Sequence, residues 1–305
     1  MSMKIELLCS ELAFPEGPIA CQDGSIILTE VRGGRLSRIS PDGKCTTLAE
    51  TGGGPNGSAI GPDGAIWITN NGGAFEWIER KGATFPGLTP PEHVGGYIQR
   101  YDLHTQNLTT VYDHCGQSPL LSPNDLVFDR AGGFWFTDMG THTAFGSRHG
   151  GVYYAKADGS FISLQRGHMH APNGIGLSPD ESVLYVADSL FARLWAFDIL
   201  EPGVLAPPRH GIPGKVICNP PGYQMFDSLA VEKDGRINVA TLVKGGITSI
   251  HPNGSLEHFP IPDPMCTNIA FGGPEMRSAW ITASSSGKLY KVDWPRPGLQ
   301  TAFHL

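Results

Sequence analysis

The chain has 305 residues, 40 of them glycine and 25 proline, with 40% apolar and 17% charged side chains and a formal net charge of −7. Glycine and proline at that level, beside an ordinary apolar content, fit many short strands joined by tight turns and not disorder. The negative charge, with no Lys/Arg cluster to reverse it locally, argues against a nucleic-acid partner, and no apolar run approaches a membrane span.

The N-terminal Met1-Ser2-Met3-Lys4-Ile5-Glu6 lacks the apolar core of a signal peptide, so the expected compartment is the cytoplasm. Six cysteines are scattered without C-x-x-C spacing and read as small hydrophobes of a reducing cytosol, not as disulfides or a soft-metal site.

From there the chain repeats one grammar. A turn-prone segment with a carboxylate or amide leads into an apolar strand six times. The segments are Phe14-Pro15-Glu16-Gly17, Pro55-Asn56-Gly57, Pro123-Asn124-Asp125, Pro172-Asn173-Gly174, Phe226-Asp227-Ser228 and Thr267-Asn268. After each strand comes a turn, as at Asp23-Gly24, Asp63-Gly64 and Asp234-Gly235, where glycine accepts positive φ without steric cost. A continuous apolar strand follows (Ile26–Thr29, Ile66–Thr69, Phe134–Thr137, Val183–Val186, Trp280–Thr282), then an alternating third strand and a weaker fourth.

Units of about 40–50 residues mark a propeller or another array. The expectation is an all-β, six-bladed β-propeller with four-stranded blades, spanning residues 1–305 as one domain. Lys4–Leu8 is expected to pair with the last blade and close the ring. The second unit is lengthened by residues 73–95, an aromatic and proline-rich insertion that reads either as a lid over a binding face or as a packed surface loop.

A single Pro-Asn-Gly closes a turn anywhere, but independent turns would not need Glu16 and Asp227 where other units carry Asn. If each first strand is innermost, the anchors ring one mouth of the channel. Carboxylates and amides select a hard cation: calcium first, with manganese, magnesium, iron(II) or zinc as alternatives.

The ordered set Pro15-Glu16-Gly17-Pro18, Pro123-Asn124-Asp125, Pro172-Asn173-Gly174 and Phe226-Asp227-Ser228 resembles the gluconolactonase and senescence-marker-protein family, which includes luciferin-regenerating-enzyme-like proteins. That family is similar in fold to diisopropyl fluorophosphatase and serum paraoxonase. The resemblance covers essentially the whole chain. It implies that Glu16, Asn173 and Asp227 bind a catalytic divalent cation, with Asn124 as a further ligand or substrate holder. It also implies an Arg two residues before that Asn, where this chain has Ser122, and a sugar lactone fits less well without that guanidinium.

On this reading the substrate is a small-molecule lactone or ester, and the protein is a monomer or small homo-oligomer. Asp227 accepts a proton from the attacking water or orients it. Asn56, Asn124, Ser122, His142 and His170 are the candidates for substrate contact, and a His beside the cation would suit a general base. Asn56 and Asn268 have turn closure as their alternative role. His168 and His170 have a spacing that suits a transition metal only if a third ligand joins them. Two other functions remain open: aryl ester or organophosphate hydrolysis at the same site, or a non-catalytic propeller with a structural ion.

Overall fold

The first strand of every unit begins at its anchor: Pro15–Ala20, Pro55–Ile60, Pro123–Phe128, Pro172–Leu177, Met225–Val231 and Cys266–Gly272. In the computed structural model, which describes residues 4–208 and 211–305, each heads an antiparallel sheet, and six such sheets form a β-propeller. Met1–Met3 of the N-terminal reading lie outside the described residues. Blade one continues through Ile26–Glu30, Arg35–Ile39 and Cys45–Glu50, and the other blades follow the same meander. In blade four Lys215–Cys218 takes the outer place, and a short strand, Val204–Leu205, pairs with the end of Arg193–Glu201. Among the described residues no helix is long and apolar enough to cross a membrane.

The ring closes as the sequence suggests. Ile5–Cys9 lies antiparallel to Lys288–Asp293 as the outer strand of blade six, with Ile5 opposite Val292 and Leu7 opposite Tyr290. The first and last segments of the propeller thereby share one sheet.

Local chemistry explains the regularity. Asp23, Asp63, Asp180 and Asp234 each accept a hydrogen bond from the backbone N–H two residues on, which folds the turn between first and second strands. The second strands are buried on both faces because they lie between neighbouring blades. Trp67, Phe134 and Phe136 are essentially inaccessible, and Trp67 packs edge-on to Phe128 with ring centroids 5.8 Å apart. Burying such a side chain contributes about 2–3 kcal/mol.

The innermost strands touch through backbone. A Cβ on Gly174 would sit 2.6 Å from the Asp227 carbonyl oxygen and 2.7 Å from the Leu229 nitrogen, and one on Gly57 2.8 Å from the Asn124 carbonyl oxygen. Glycine after the anchor is therefore what lets adjacent blades approach. A second device repeats beside it. Thr29, Thr69 and Thr137 donate hydroxyl hydrogen bonds of 2.5 Å to the carbonyls of Asn56, Asn124 and Asn173 in the next blade. Ser284 does the same for Pro15 at 2.6 Å across the closing blade.

Two features depart from blade symmetry on the anchor side. The hairpin of blade three, Gly133–Thr143 and Gly146–Lys156, runs 11 residues per strand and projects beyond the sheet. The 73–95 insertion carries its own hairpin, Trp77–Arg80 and Ala83–Pro86. Phe75, Trp77 and Phe85 pack against Phe14 and Val31 of blade one and against Leu242 and Met265 of blades five and six. The Phe14 and Trp77 rings lie 5.0 Å apart. The insertion thus reaches across from blade two over strand entrances of three other blades, and Arg32–Glu79 pins it at 2.5 Å.

The opposite mouth is closed by the C-terminal tail. Leu299 donates its backbone N–H to Val231 at 2.8 Å, Gln22 donates its own to Leu305 at 2.8 Å, and Phe303 meets Phe128 edge-on at 5.9 Å. Behind the tail a cavity of about 180 Å³ is lined by Ile19, Leu126, Ile175, Leu229 and Ile269 among others.

Removing residues 1–9 deletes the closing strand. At about 2 °C per kcal/mol for a chain of this size, Tm should fall by about 10 °C; an unchanged melting temperature would show that closure does not depend on it. Gly174→Ala should lower Tm by a comparable amount because the new methyl meets backbone, whereas Gly64→Ala, in open space at a turn with φ 73°, should cost only about 1 kcal/mol. Thermal melts of the two variants side by side make the comparison.

Candidate functional site

All six anchors are buried at one end of the channel; Glu16 is 2% exposed, Asn124 3% and Asp227 8%. They reach that end for one reason: each opens the innermost strand of its blade, and all six first strands run the same way through the ring. The inter-blade threonine bonds fasten the carbonyls of Asn56, Asn124 and Asn173, leaving their side chains to point elsewhere.

Glu16 is held most firmly. Its Oε2 accepts from Asn268 Nδ2 at 2.9 Å and from the Gly17 N–H at 3.0 Å. Asn268 completes its own bonding through Oδ1, which accepts from the Ile269 N–H at 2.8 Å. Asn268 is therefore a positioning residue for Glu16. Across the hub Asn173 Oδ1 accepts from Ser228 Oγ at 3.4 Å, and the Asn173 side chain lies near enough to Asp227 to favour its charged form.

The sequence reading passed over Asp125 as a turn residue. It is buried, its Oδ1 accepts from the Leu126 N–H at 2.9 Å, and it lies within the reach of the Glu16 charge. Burial, then Glu16, pushes its carboxyl up to about 7. Burial also raises Glu16. Asp227 is raised well above the usual carboxylate range, by burial first, then by repulsion from Glu16 and, more weakly, Asp125. None of the three carboxylates has a cationic partner among the ion pairs of the described residues. Three acids thus share a desolvated hub in which ionisation is opposed.

The donor set fits a hard divalent cation. Asn124 Oδ1 is buried and without a hydrogen-bond partner, and its Nδ2 has only a long contact of 3.8 Å to Met139 Sδ. Leaving a buried carbonyl oxygen unpaired costs about 1–3 kcal/mol unless something else fills the role. Among the described residues no three His, Cys, Asp or Glu side chains gather to hold a metal by themselves. Any ion at the hub must draw on amide oxygens as well as on Glu16 and Asp227, and that requirement favours calcium-like chemistry over zinc.

The remaining candidates divide. Asn56 is buried at the hub with no side-chain hydrogen bond recorded for it. Ser122 is 1% exposed, and its backbone is engaged by Asp138 Oδ1 at 2.8 Å and by the Met139 N–H at 2.9 Å. Asp138 also accepts from Leu121 and Gly140, so it shapes the entrance to the Asn124 strand. His142, on the projecting hairpin, is half-buried; its Nδ1 meets Ser147 Oγ at 2.9 Å and its Nε2 has no partner. Its backbone exchanges hydrogen bonds with Thr89 of the insertion at 2.8 and 3.0 Å, so hairpin and insertion are tied together. His170 is exposed and stands edge-on to His149 at 4.6 Å and to Phe191 at 4.9 Å. His149 is the neighbour that the sequence did not reveal, because only the hairpin register brings it there.

Known proteins share the family and the fold. A gluconolactonase of Zymomonas mobilis is 25% identical over 222 residues, which is 65% of this chain and 56% of that protein. A lactonase drp35 of Staphylococcus saprophyticus is 28% identical over 243 residues, covering 79% of this chain and 67% of the relative. The chain thus spans little more than half of the first of these relatives. The solved structure of regucalcin, a calcium-binding protein of Agrobacterium tumefaciens, superposes with a TM-score of 0.75 over 98% of both chains at 17% identity, a likeness of fold. The family described as the SMP-30/Gluconolactonase/LRE-like region matches residues 14–285, and this chain belongs to that family.

Proposed function

We propose that the chain is a divalent-cation-dependent hydrolase that opens the ring of a lactone. The observation that carries this reading is the hub itself: an unpartnered buried Asn124 Oδ1 beside carboxylates that repel one another and have no counter-charge. The relatives named gluconolactonase and lactonase supply the reaction class.

Glu16, Asn124, Asn173 and Asp227 are the residues that would hold the cation, calcium first, and when bound it supplies Lewis acidity at the ester carbonyl and at water. The protein's own residues do the rest. Glu16, locked by Asn268 and Gly17, keeps its carboxylate fixed at the hub. Asp227 has a carboxylate made more basic by burial and by Glu16, which suits it to take a proton from the water that attacks the carbonyl carbon. The C–O ring bond breaks, the alkoxide is protonated, and a hydroxy acid leaves. Asn56 and the Asn124 amide, Ser122, His142 and His170 form the substrate side of the mouth.

The trend of the mouth is towards a substrate less hydroxylated than an aldonolactone. Ser122 stands where the resembled family carries a guanidinium. Phe145 at the hairpin tip is fully exposed, and Leu190 and Phe191 of blade four are about half-exposed. The insertion, braced on blades one, five and six, then acts as the lid of this face.

Asp227→Asn should lower turnover of a lactone panel by about a hundredfold or more with the fold retained, as loss of a general base does. Near-normal turnover would sink the role of Asp227. Chelation should abolish activity, and added calcium should restore it; activity that persists in excess chelator overturns the cation requirement.

The hub charges also give a pH signature in the cation-free protein. The Asp125 carboxyl has an ordinary value of 3.8 and is pushed up to about 7 in the fold, so the native state binds the extra proton. Its contribution to stability is full below about pH 4 and is lost as pH rises through about 7. Melts in chelator at about pH 5 and about pH 8 should show a drop that Asp125→Asn makes smaller. An identical drop in the variant would remove Asp125 from this account.

A further inference from the structure

We propose that the imidazole cluster at the tops of blades three and four is a subsite for an anionic substituent, a carboxylate or phosphate, carried by the substrate of the hub. The inference rests on the lactonase reading for its substrate but not for the subsite, which is a property of the surface.

Four of the 11 histidines of the chain meet there. His142 and His149 come from the projecting hairpin, His168 from the end of the Ile162–Met169 strand, and His170 from the link into Pro172. The His149 ring centroid lies 4.6 Å from that of His170 and 6.3 Å from that of His168. His170 is three residues before Asn173, which places the cluster beside the hub. Hairpin register produces the grouping: Gly150 pairs with Met169, setting His149 across from His170.

The charged groups around the cluster favour an anion. Arg148 precedes His149 in the hairpin strand, so its side chain leaves from the opposite face. From blade four Arg193 stacks its guanidinium over Phe191 at 5.6 Å and Trp195 at 5.1 Å, and Phe191 in turn touches the His170 ring. Neither arginine forms an ion pair among the described residues. One carboxylate, Asp188, faces both His170 and Arg193; Asp138 beneath is spent on three backbone N–H groups. The Arg193 guanidinium and four imidazoles, each able to donate an N–H, thus meet one available carboxylate, Asp188, in a chain of net charge −7.

His142 is the half-buried member of the cluster. His142 is held below the ordinary imidazole value by burial and then by the positive charges of His149 and His170. An anion seated among the rings relieves that repulsion, and the unpartnered His142 Nε2 is a donor waiting for it. A metal is the weaker occupant, since no three ligating side chains gather to hold one among the described residues.

Two arms test this. In the first, inorganic phosphate is titrated into the protein near pH 6.5, about the ordinary imidazole value, while ring ¹H–¹⁵N resonances are followed. Saturable shifts confined to His142, His149, His168 and His170, lost in Arg193→Gln, are expected; no shift, or shifts spread over all histidines, overturns the subsite. In the second, kcat/KM is compared for a lactone bearing a carboxylate and for its neutral amide. His149→Gln and Arg193→Gln should each reduce the ratio of the two by at least about tenfold, carried in KM; a ratio within about twofold of the parent overturns the proposal. If neither lactone turns over, the hydrolase reading fails and the phosphate arm still decides the subsite.

Discussion

The constraint on which this molecule turns is the burial of Glu16, Asp125 and Asp227 together without a cation of their own. Removing carboxylates from water is costly, and mutual repulsion adds to the cost, so such a group persists only where the surrounding structure dictates its position. Here the surroundings are backbone. The carbonyls of Asn56, Asn124 and Asn173 are bonded to the neighbouring blade, and Gly17, Gly57 and Gly174 bring the inner strands into backbone contact. The acids cannot move apart without disrupting the ring. A hub made in this way stores repulsion, and that is what the proposed divalent ion would relieve.

Fold and site are one arrangement seen at two depths. The threonine hydroxyls form a layer that joins blade to blade. Above it Asn268, Asn173 and the Gly17 N–H orient the acids. Above those lie the two departures from symmetry, the long hairpin of blade three and the insertion of blade two, tied together through Thr89 and His142. Each layer is less regular than the one beneath, as a rigid scaffold carrying variable loops demands.

The hub was legible because its signal repeats. Six polar anchors before six apolar strands need no knowledge of distance, only of period, and the closing strand followed from the unpaired edge that a ring must cover. What was missed lacked that redundancy. Thr29, Thr69 and Thr137 read as ordinary β-formers at the ends of apolar strands, although Thr followed by Glu30, Asn70 or Asp138 recurs at the same place in three blades. Asp125 was masked by its turn-like context, since Pro-Asn-Asp also closes turns. His149 is far along the chain from His168 and His170, and only the pairing of two long strands unites them. The C-terminal tail had no periodic pattern and no apparent partner; its place came from Leu299 and Phe303 meeting the undersides of blades five and three.

That tail gives the channel two unlike ends, and the difference bears on the chemistry. One end holds polar anchors under an aromatic insertion and a histidine-bearing hairpin. The other is apolar and sealed by Leu299–Leu305, which bridges blades five and one and rests Phe303 on blade three. Glu16 and Asp227 lie at the anchor end, beneath the insertion and the hairpin. Under the proposed function, what arrives at the hub is selected above it, by Phe191, His170 and the hairpin tip. On the proposed reading, substrate choice and catalytic chemistry sit on separate layers of the same blades, and the loops can change the one while the anchors keep the other.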